Sequence, residues 1–294
     1  MINKLKNKLK KILIKKESND LLDLKFLEFD KSSVLRTNNL SLIPNLKNRI
    51  GGKISYAEWA HVIGIFQTVI YQNLDKKDGN KILDIGCGTG LLGLASQNFV
   101  DKGGEYLGID VDKFNIEYCN MQYSQNRNLK FLHFDVNNAM YAKNQNKIKQ
   151  HWDVESNSQD LVTALSVWTH FNEEDAMFYF NEISRVLKKN AKAILTFFYL
   201  DDIYYSSINE RENKKGVYHM TNQKDWVFNK SAYGSKDWYY PEQLKIPENA
   251  IGVTKKGMSL LLAKSGLKMV NYYNGNWKEE PGVYFQDILI FEKI

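Results

Sequence analysis

A glycine-rich segment that follows a short apolar run is the strongest chemical signal in the sequence. Residues 81–93 read KILDIGCGTGLLG, so the apolar run contains Asp84 and leads directly into the glycines. Glycine allows the backbone to turn sharply and to approach a ligand with no Cβ in the way. The Gly-x-Gly-x-x-Gly spacing at 88–93 is weak by itself, because it also fits a dinucleotide site or a simple tight turn.

Three acidic residues, each within or just after one of three successive apolar runs, make the glycine-rich segment more specific. We expect Asp84 to point into a cleft, where its carboxylate would repel a pyrophosphate but suit an ammonium or sulfonium ligand. This disfavours a nicotinamide dinucleotide. Asp110 ends the next run, where an acid can accept hydrogen bonds from both ribose hydroxyls. Asp135 follows the third run, where a carboxylate can accept from an adenine amino group, although an Asp there also commonly caps the next segment.

The segment from Asp84 to Gly90, with Asp110 and Asp135, resembles the first motif and the two acids of the class I S-adenosylmethionine-dependent methyltransferases. The resemblance covers roughly residues 76–200, and the terminal strands extend it to 294. It implies S-adenosylmethionine as cofactor and S-adenosylhomocysteine as product. The cofactor-binding residues that it implies are Asp84, Gly86, Cys87, Gly88, Gly90, Asp110, Val111, Asp135, Val136 and Ser166. Within the loop we interpret Cys87 as a small spacer, the alternative being a reactive nucleophile at a helix N-terminus.

The segment that follows the fourth apolar run offers a catalytic residue. Residues 166–171 read SVWTHF and lack the Asn/Asp-Pro-Pro-aromatic motif of methyltransferases that act on exocyclic or amide nitrogen. His170 is the candidate general base, because imidazole titrates near neutral pH. The alternative is that His170 only caps the helix that begins near Asn172.

Further candidates for the substrate pocket come from three parts of the chain. They are Tyr56, Trp59, His61, Trp168 and His219. Tyr56 and Trp59 could close over the cofactor, whereas His61 and His219 are alternative bases. No His-x-x-x-His or Cys-x-x-Cys spacing occurs, so we expect a metal-independent reaction, with no metal ligands assigned.

Short apolar runs that alternate with helical patterns must position these residues. The runs are 82–85, 106–109, 131–134, 161–165, 193–198, 267–273 and 283–291. Helical patterns at 174–187 and 255–264 lie between them, which predicts crossover connections. The last two runs are joined by 274–282 without a helical pattern and should form a hairpin. We therefore predict an α/β fold with a Rossmann-like, doubly wound, seven-stranded sheet that is mostly parallel with an antiparallel terminal hairpin strand.

Two further segments flank this sheet. Ser55 and Glu58 have the spacing of a capping box and begin a predicted helix at 56–74, so we assign 17–75 to an N-terminal helical cap and 76–294 to the methyltransferase domain. An aromatic-rich insertion at 201–254 follows the fifth run and is too long for an ordinary connection. Its aromatic residues would line an acceptor pocket, or else form a small satellite core.

The positive charge of the chain is concentrated at its start. The net charge is +6, but residues 1–16 hold seven lysines and no acid, so the remainder carries −1. Apolar residues recur there at three- and four-residue spacing, which predicts a basic amphipathic tail that contacts an anionic membrane surface or a partner. The alternative is a solvated, partly frayed helix. A near-neutral body argues against nucleic acid as partner.

The composition indicates the class of protein and the cellular compartment that suits it. Apolar residues at 43% and charged residues at 25% are ordinary for a soluble globular protein. No run approaches the roughly 20 apolar residues that span a bilayer, and the first residues lack a signal-peptide pattern. Two cysteines, Cys87 and Cys119, indicate a reducing compartment. We expect a cytoplasmic protein, peripheral at the cytoplasmic membrane face if the tail binds lipid.

These observations support one leading function and two alternatives. The helical segment before the glycine motif, the insertion and the terminal hairpin resemble the bacterial small-molecule branch of the family, which is often associated with polysaccharide biosynthesis. We expect methylation of a small-molecule acceptor, at a hydroxyl oxygen of a sugar, a glycolipid precursor or another metabolite. The alternatives are a membrane-associated lipid or quinone methyltransferase and a non-catalytic partner protein that binds the cofactor. The oligomeric state stays open.

Overall fold

The computed structural model describes residues 38–136 and 149–294. The lysine-rich segment 1–16 and the region 17–37 lie outside these residues. The amphipathic tail and the domain boundaries therefore remain predictions.

Ten strands form one sheet. Their bounds are β1 Lys81–Ile85, β2 Glu105–Asp110, β3 Leu129–His133, β4 Gln159–Ala164, β5 Leu187–Leu200, β6 Lys230–Ser231, β7 Trp238–Tyr240, β8 Gly252–Thr254, β9 Leu267–Tyr273 and β10 Asp287–Lys293. Strands β3, β2, β1, β4 and β5 are parallel neighbours in that order. Strand β10 is antiparallel to both β5 and β9. This confirms the predicted parallel sheet with an antiparallel terminal strand.

Helices connect the parallel strands and cover the sheet. The α-helices are α1 Tyr56–Asn73, α2 Leu91–Ser96, α3 Lys113–Gln122, α4 Glu173–Val186, α5 Asp202–Ser207 and α6 Lys255–Ser265. Short 3-10 helices lie at Asn38–Leu42, Leu46–Asn48, Gln97–Phe99, Trp168–His170, Ile208–Glu210, Gln223–Trp226, Pro247–Asn249 and Asn276–Lys278. The helices predicted at 174–187 and 255–264 are confirmed as α4 and α6.

Both faces of the sheet are buried, as a doubly wound fold requires. In β1, Ile82 packs into a cluster with Phe66 of α1 and Leu92 of α2. The next residue, Leu83, points to the opposite face and packs into a cluster with Phe180 of α4. Because neighbouring strand residues alternate in direction, an uninterrupted apolar run serves both cores.

The capping box begins α1, as predicted. The Ser55 hydroxyl accepts a hydrogen bond from the Glu58 backbone N–H at 3.0 Å. The Glu58 carboxylate accepts from the backbone N–H of Ile54 at 3.2 Å, one residue before the cap. The buried stripe of α1 contains Trp59 and Phe66, which hold this helix against α2.

The insertion extends the sheet, which the sequence patterns did not predict. Residues 198–200 at the end of β5 pair in parallel with β8, and β7 and β6 follow in antiparallel order. Tyr204 and Phe228 form a small third core with Trp277. The satellite-core interpretation is therefore correct for those two aromatic residues of the insertion.

The last strand begins later than predicted. Hydrogen-bonded pairing of β10 begins at Asp287 rather than near residue 283. Residues 284–286 form cavity wall instead. An apolar run alone does not reveal where a strand leaves the sheet, because aromatic residues also suit a ligand pocket.

Candidate active site

A cavity of about 1540 Å³ opens at the carboxyl ends of the central strands. The loops after β1, β2 and β4 line it, together with residues 50–55 before α1 and residues 284–286 before β10. Ligands of doubly wound sheets bind at this edge, where the strand order changes direction. The predicted motifs therefore converge on this cavity.

The glycine loop after β1 adopts backbone angles that favour glycine. Gly86, Gly88 and Gly90 have φ values of +66°, +53° and +92°. A Cβ at Gly86 would lie 2.6 Å from a methyl carbon of Val167, and one at Gly90 would lie 2.6 Å from the Tyr123 ring. Backbone conformation and close packing thus both require glycine in this loop.

Cys87 lies between these glycines and is buried. Its backbone N–H donates to the Ile109 carbonyl at 3.0 Å, as that of Gly86 does at 2.8 Å. Burial raises the pKa of the Cys87 thiol well above its usual value. A protonated, buried thiol is a poor nucleophile, which supports its interpretation as a spacer.

Asp110 at the end of β2 is held by backbone amides. One carboxylate oxygen accepts from Gly88 N–H and the other from Asp112 N–H, both at 2.8 Å. The Asn115 side chain also donates to this carboxylate, which leaves fewer lone pairs for a ligand hydroxyl. Burial raises the pKa of Asp110 above its usual value. The carboxylate lines the cavity beside Val111, another predicted contact.

Asp84 borders the cavity, but hydroxyl groups already bind both of its oxygens. Tyr106 of β2 donates to one oxygen at 2.5 Å, and Thr163 of β4 donates to the other at 2.8 Å. Burial is the main cause that raises the pKa of Asp84 to about 7. The carboxylate therefore links three strands, and its contact with a cationic ligand remains a prediction.

The segment after β3 is only partly as expected. Val136 and its neighbour Phe134 line the cavity. Asp135 is half-buried and is not part of the cavity wall in this geometry. Its contact with an adenine amino group therefore remains a prediction. The following residues 137–148 lie outside the described part of the chain.

His170 lies in the cavity wall, on the short helix that follows β4. Its Nδ1 is 2.5 Å from the backbone carbonyl of Glu248. A carbonyl can only accept, so Nδ1 carries the proton and Nε2 carries the basic lone pair. Burial lowers the pKa of His170 below its usual value, so the ring is neutral near pH 7. The capping alternative is wrong, because the Asn172 side chain caps α4 by accepting from Asp175 N–H at 2.9 Å.

Only some of the five predicted pocket residues line the cavity. Trp59 and His219 line the cavity. Tyr56 and Trp168 do not, because both rings are buried in the hydrophobic core. His61 lies on an exposed face of α1. The sequence placed Tyr56 at the start of the predicted helix and Trp168 in the segment after the fourth apolar run, but only packing could show which way each side chain faces.

His219 is held through both ring nitrogens. Its Nε2 is 2.6 Å from a Glu279 carboxylate oxygen, and its Nδ1 is 2.8 Å from the Thr221 hydroxyl. The side chain is 4% exposed. His219 thus joins the insertion to the hairpin, and it is less suited than His170 to accept a substrate proton.

Ser166 and Gln286 form a polar contact across the cavity wall. Ser166 has φ +61°, and its backbone N–H donates to the Thr196 hydroxyl at 2.7 Å. The hydroxyls of Ser166 and Thr196 donate to the same Gln286 side-chain oxygen at 2.8 and 2.7 Å. Sequence reasoning missed Gln286, although a glutamine beside an apolar run was an available signal.

Lys53 is a second residue that sequence reasoning missed. It lines the cavity, and its ammonium donates to the Gly51 carbonyl at 3.0 Å. Burial lowers its pKa to about 8. The neighbouring Ile50 packs where a Cβ of Gly88 would lie, at 3.0 Å. Lys53 therefore offers a positive charge near the glycine loop, suited to a ligand carboxylate.

The described residues contain neither a group of metal-binding side chains nor a membrane-spanning helix. Across residues 38–136 and 149–294, no three His, Cys, Asp or Glu side chains are grouped so that they could hold a metal ion. Within the same residues, no helix combines the length and apolar character needed to cross a membrane.

Comparison with known proteins identifies relatives of this fold. A family model described as a methyltransferase domain matches residues 76–281. One similar solved structure is the geranyl diphosphate C-methyltransferase of Streptomyces coelicolor A3(2), in complex with Mg²⁺, geranyl diphosphate and S-adenosyl-L-homocysteine. Its TM-score is 0.50 and its sequence identity is 11%, and the match covers 81% of each chain. A chain of the Haloferax volcanii complex of the Trm112 methyltransferase activator and a putative methyltransferase also scores 0.50, with 12% identity, over 80% of this chain and 90% of that one. At such identities the solved structures establish the fold alone.

Proposed function

Because the chain belongs to the class I S-adenosylmethionine-dependent methyltransferases, we propose that it methylates a hydroxyl oxygen of a small-molecule acceptor. A sugar, a glycolipid precursor or another metabolite would supply this hydroxyl. The observation that carries the proposal is the neutral His170, which lies in the cavity wall with Nδ1 held by the Glu248 carbonyl. Transfer to oxygen requires removal of a proton, and this imidazole is placed to accept one.

The residues of the cavity fit the cofactor of the family. The glycine loop presents backbone without side chains, and the Thr89 hydroxyl beside it is buried with no hydrogen-bond partner in the described chain. Asp110 suits the ribose hydroxyls, Lys53 suits the carboxylate of the methionine part, and Asp84 suits its positive charge. S-Adenosylmethionine supplies an electrophilic methyl group bound to a sulfonium.

The protein groups then act on the acceptor. His170 Nε2 would accept the hydroxyl proton of the acceptor, and S-adenosylmethionine, when bound, would supply the methyl group to that oxygen, lose its S–CH3 bond and leave as S-adenosylhomocysteine. The Glu248 carbonyl keeps the ring in the tautomer that leaves Nε2 basic, and it stabilises the imidazolium that forms. The buried wall around His170 excludes water, which helps to align the acceptor with the methyl group.

Replacement of His170 tests this role. We expect His170→Gln to lower kcat about 100-fold or more, with the affinity for S-adenosylhomocysteine unchanged. Transfer of labelled methyl groups to pooled small molecules measures the first quantity, and calorimetry measures the second. In the native enzyme, kcat should fall at acidic pH, where His170 gains a proton. Because burial lowers the pKa of His170, this fall should occur below the usual histidine pKa of 6.5.

His61→Gln is a matched control, because His61 is exposed on α1 and does not line the cavity. Full activity of His170→Gln with the native pH profile would contradict a catalytic role. Cofactor binding without transfer to any acceptor, unchanged in His170→Gln, would favour the non-catalytic partner protein instead.

A further inference from the structure

One wall of the cavity contains polar groups that the cofactor contacts do not use. This wall, which we call the acceptor wall, consists of residues 169–172 and 174–175 from one segment and 248–249 from another. Its two segments are joined by the contact of His170 with the Glu248 carbonyl and by donation from Ile251 N–H to the Thr169 carbonyl at 2.8 Å. The insertion thus contributes directly to the surface that surrounds the proposed base.

The acceptor wall is acidic. It contains Glu174, Asp175 and Glu248. The neighbouring Lys149 is already paired with Glu174 and lies 3.7 Å from Asp175. No ion pair to Glu248 occurs among the described residues. An acceptor that carries a phosphate or diphosphate would therefore meet an excess of negative charge, which costs binding free energy.

Two oxygens of this wall lack a hydrogen-bond partner in the described chain, namely Oε2 of Glu248 and the hydroxyl of Thr169. These residues are 9% and 1% exposed. Buried polar groups in native proteins are normally paired, so such atoms commonly mark a place for a ligand. A carboxylate oxygen can only accept, so the group that completes Glu248 must be a donor.

The other oxygen of Glu248 is oriented by an unusual turn. Tyr233 donates to Oε1, although its backbone has φ +53° in a turn with Gly234. Such a turn normally takes Asn or Gly, since a bulky residue is strained there. The Tyr233 hydroxyl thus binds one oxygen of Glu248, and Oε2 has no partner in the described chain.

Aromatic rings continue the cavity beside this carboxylate. Phe171 and Trp152 each stack on Tyr179, with ring centroids 5.3 and 5.6 Å apart, and all three line the cavity. Aromatic faces bind both the apolar face of a sugar ring and a cation. The carboxylate, the oxygens without a partner and the aromatic faces would thus all favour the same kind of ligand. That ligand is a positively charged molecule that carries hydroxyl groups.

We propose that the acceptor is an amino-alcohol, such as an amino sugar or an aminocyclitol, whose protonated amine donates to Glu248 Oε2 while a hydroxyl reaches His170. This proposal rests on the proposed function, because it uses the same base and the same cavity. It narrows the acceptor to a positively charged class and assigns Glu248 as the residue that selects it.

Methyl transfer to matched acceptor pools tests the proposal. The full-length protein with labelled S-adenosylmethionine is offered amino sugars and aminocyclitols, their neutral hydroxyl analogues, or the phosphate monoesters of those analogues. We expect transfer to the amine pool about tenfold or more above the neutral pool, and background transfer to the phosphate pool. Glu248→Gln should raise the KM for the amine acceptor about tenfold or more, with little change in affinity for S-adenosylhomocysteine.

Glu248→Gln retains the backbone carbonyl that holds His170, and its melting temperature shows whether it folds. Glu242→Gln removes an exposed acid of the same insertion that does not line the cavity, and should leave the KM unchanged. Equal or greater transfer to the neutral or phosphate pool, or an unchanged KM in a folded Glu248→Gln protein, overturns the proposal. Transfer to no pool despite S-adenosylhomocysteine binding also overturns it, whereas failure to bind S-adenosylhomocysteine refutes the proposed function itself.

Discussion

Asp84 shows how one residue can serve both stability and ligand binding. Its carboxylate is buried at the meeting point of three strands, with hydroxyl donors on both oxygens. Those donors favour the ionised form, but burial disfavours it more strongly and raises the pKa to about 7. The group therefore binds a proton in the folded protein at pH values where the unfolded chain has lost it.

We predict that cofactor affinity depends on the ionisation of Asp84. A positively charged ligand favours the carboxylate, so S-adenosylmethionine should bind about tenfold more tightly at pH 8 than at pH 6. Asp84→Asn should bind it weakly, with much less pH dependence. Calorimetric titration of both proteins at the two pH values measures this, and an equal pH dependence in the variant would contradict it.

The same ionisation changes stability in a defined direction. Because the pKa of Asp84 is higher in the folded state than in the unfolded chain, its contribution makes the free energy of unfolding fall as the pH rises from about 4 to about 7. Above that range the contribution is constant. Asp84→Asn should remove this part of the pH dependence in urea unfolding of the ligand-free protein.

At the scale of elements, the glycine loop depends on the helix that packs behind it. Tyr123 at the end of α3 donates to the Thr89 carbonyl at 2.9 Å, and its ring occupies the space where a side chain at Gly90 would begin. The loop, α2 and α3 therefore form one packed unit, and the backbone that faces the ligand is held from behind.

A substitution at Gly90 tests this coupling. Gly90→Ala should lower the free energy of unfolding by about 2 kcal/mol or more, from backbone strain and displacement of Tyr123, and should weaken cofactor binding. Gly103→Ala is the matched control, since φ there is +95° but nothing lies within 4 Å of the added Cβ. Equal losses of stability in the two variants would show that packing against Tyr123 contributes nothing.

A buried charge cluster joins the insertion to the terminal hairpin. Lys278 is fully buried, and its ammonium lies 3.0 Å from Asp201, 2.9 Å from Asp287 and 2.6 Å from the Tyr272 hydroxyl. Asp287 also accepts from the Trp277 indole at 3.0 Å. This cluster fixes the end of β5 to the start of β10, which positions Gln286 and its neighbours at the cavity.

Removal of the lysine should be costly. Lys278→Met leaves two buried carboxylates without their cation and should lower the free energy of unfolding by about 3–5 kcal/mol. Lys255→Met breaks an exposed pair with Asp202 and should lower the free energy of unfolding far less, because solvent screens an exposed ion pair. Urea unfolding of both variants measures the difference, and similar values for the two would refute a structural role for the buried cluster.

At the scale of the whole molecule, charge separates the tail from the body. The chain without its first sixteen residues carries −1, whereas those residues carry seven lysines. Polybasic segments gain about 1 kcal/mol per basic residue at an anionic membrane surface. The tail can therefore act on the location of the enzyme without changing the acidic cavity.

Deletion of residues 1–16 tests this. We predict that the full chain sediments with anionic phosphatidylserine vesicles, that salt weakens the binding, and that the deleted chain stays in solution. Neutral phosphatidylcholine vesicles are the control. Identical behaviour of the two chains would remove the membrane-surface role, and with it the lipid or quinone alternative, whereas methyl transfer should be the same in both.

The sequence by itself determined the mostly parallel sheet with its antiparallel terminal strand and the cofactor class, and it proposed His170 as the base. Short apolar runs that alternate with helical patterns predict the strands and helices directly. The reason is that strands of a parallel sheet are buried on both faces of the sheet and so need continuous apolar residues. The glycine loop is recognisable because its positive φ angles and close packing leave no room for a side chain at Gly86 or Gly90.

Only the tertiary structure decided how the walls of the cavity are built. Glu248, Lys53 and Gln286 come from segments distant in sequence from the motifs, and no local pattern shows that they meet. Tyr56 and Trp168 were expected in the pocket but lie in the core. The physical reason is that side-chain direction and long-range packing depend on contacts between remote elements, whereas backbone requirements are encoded locally.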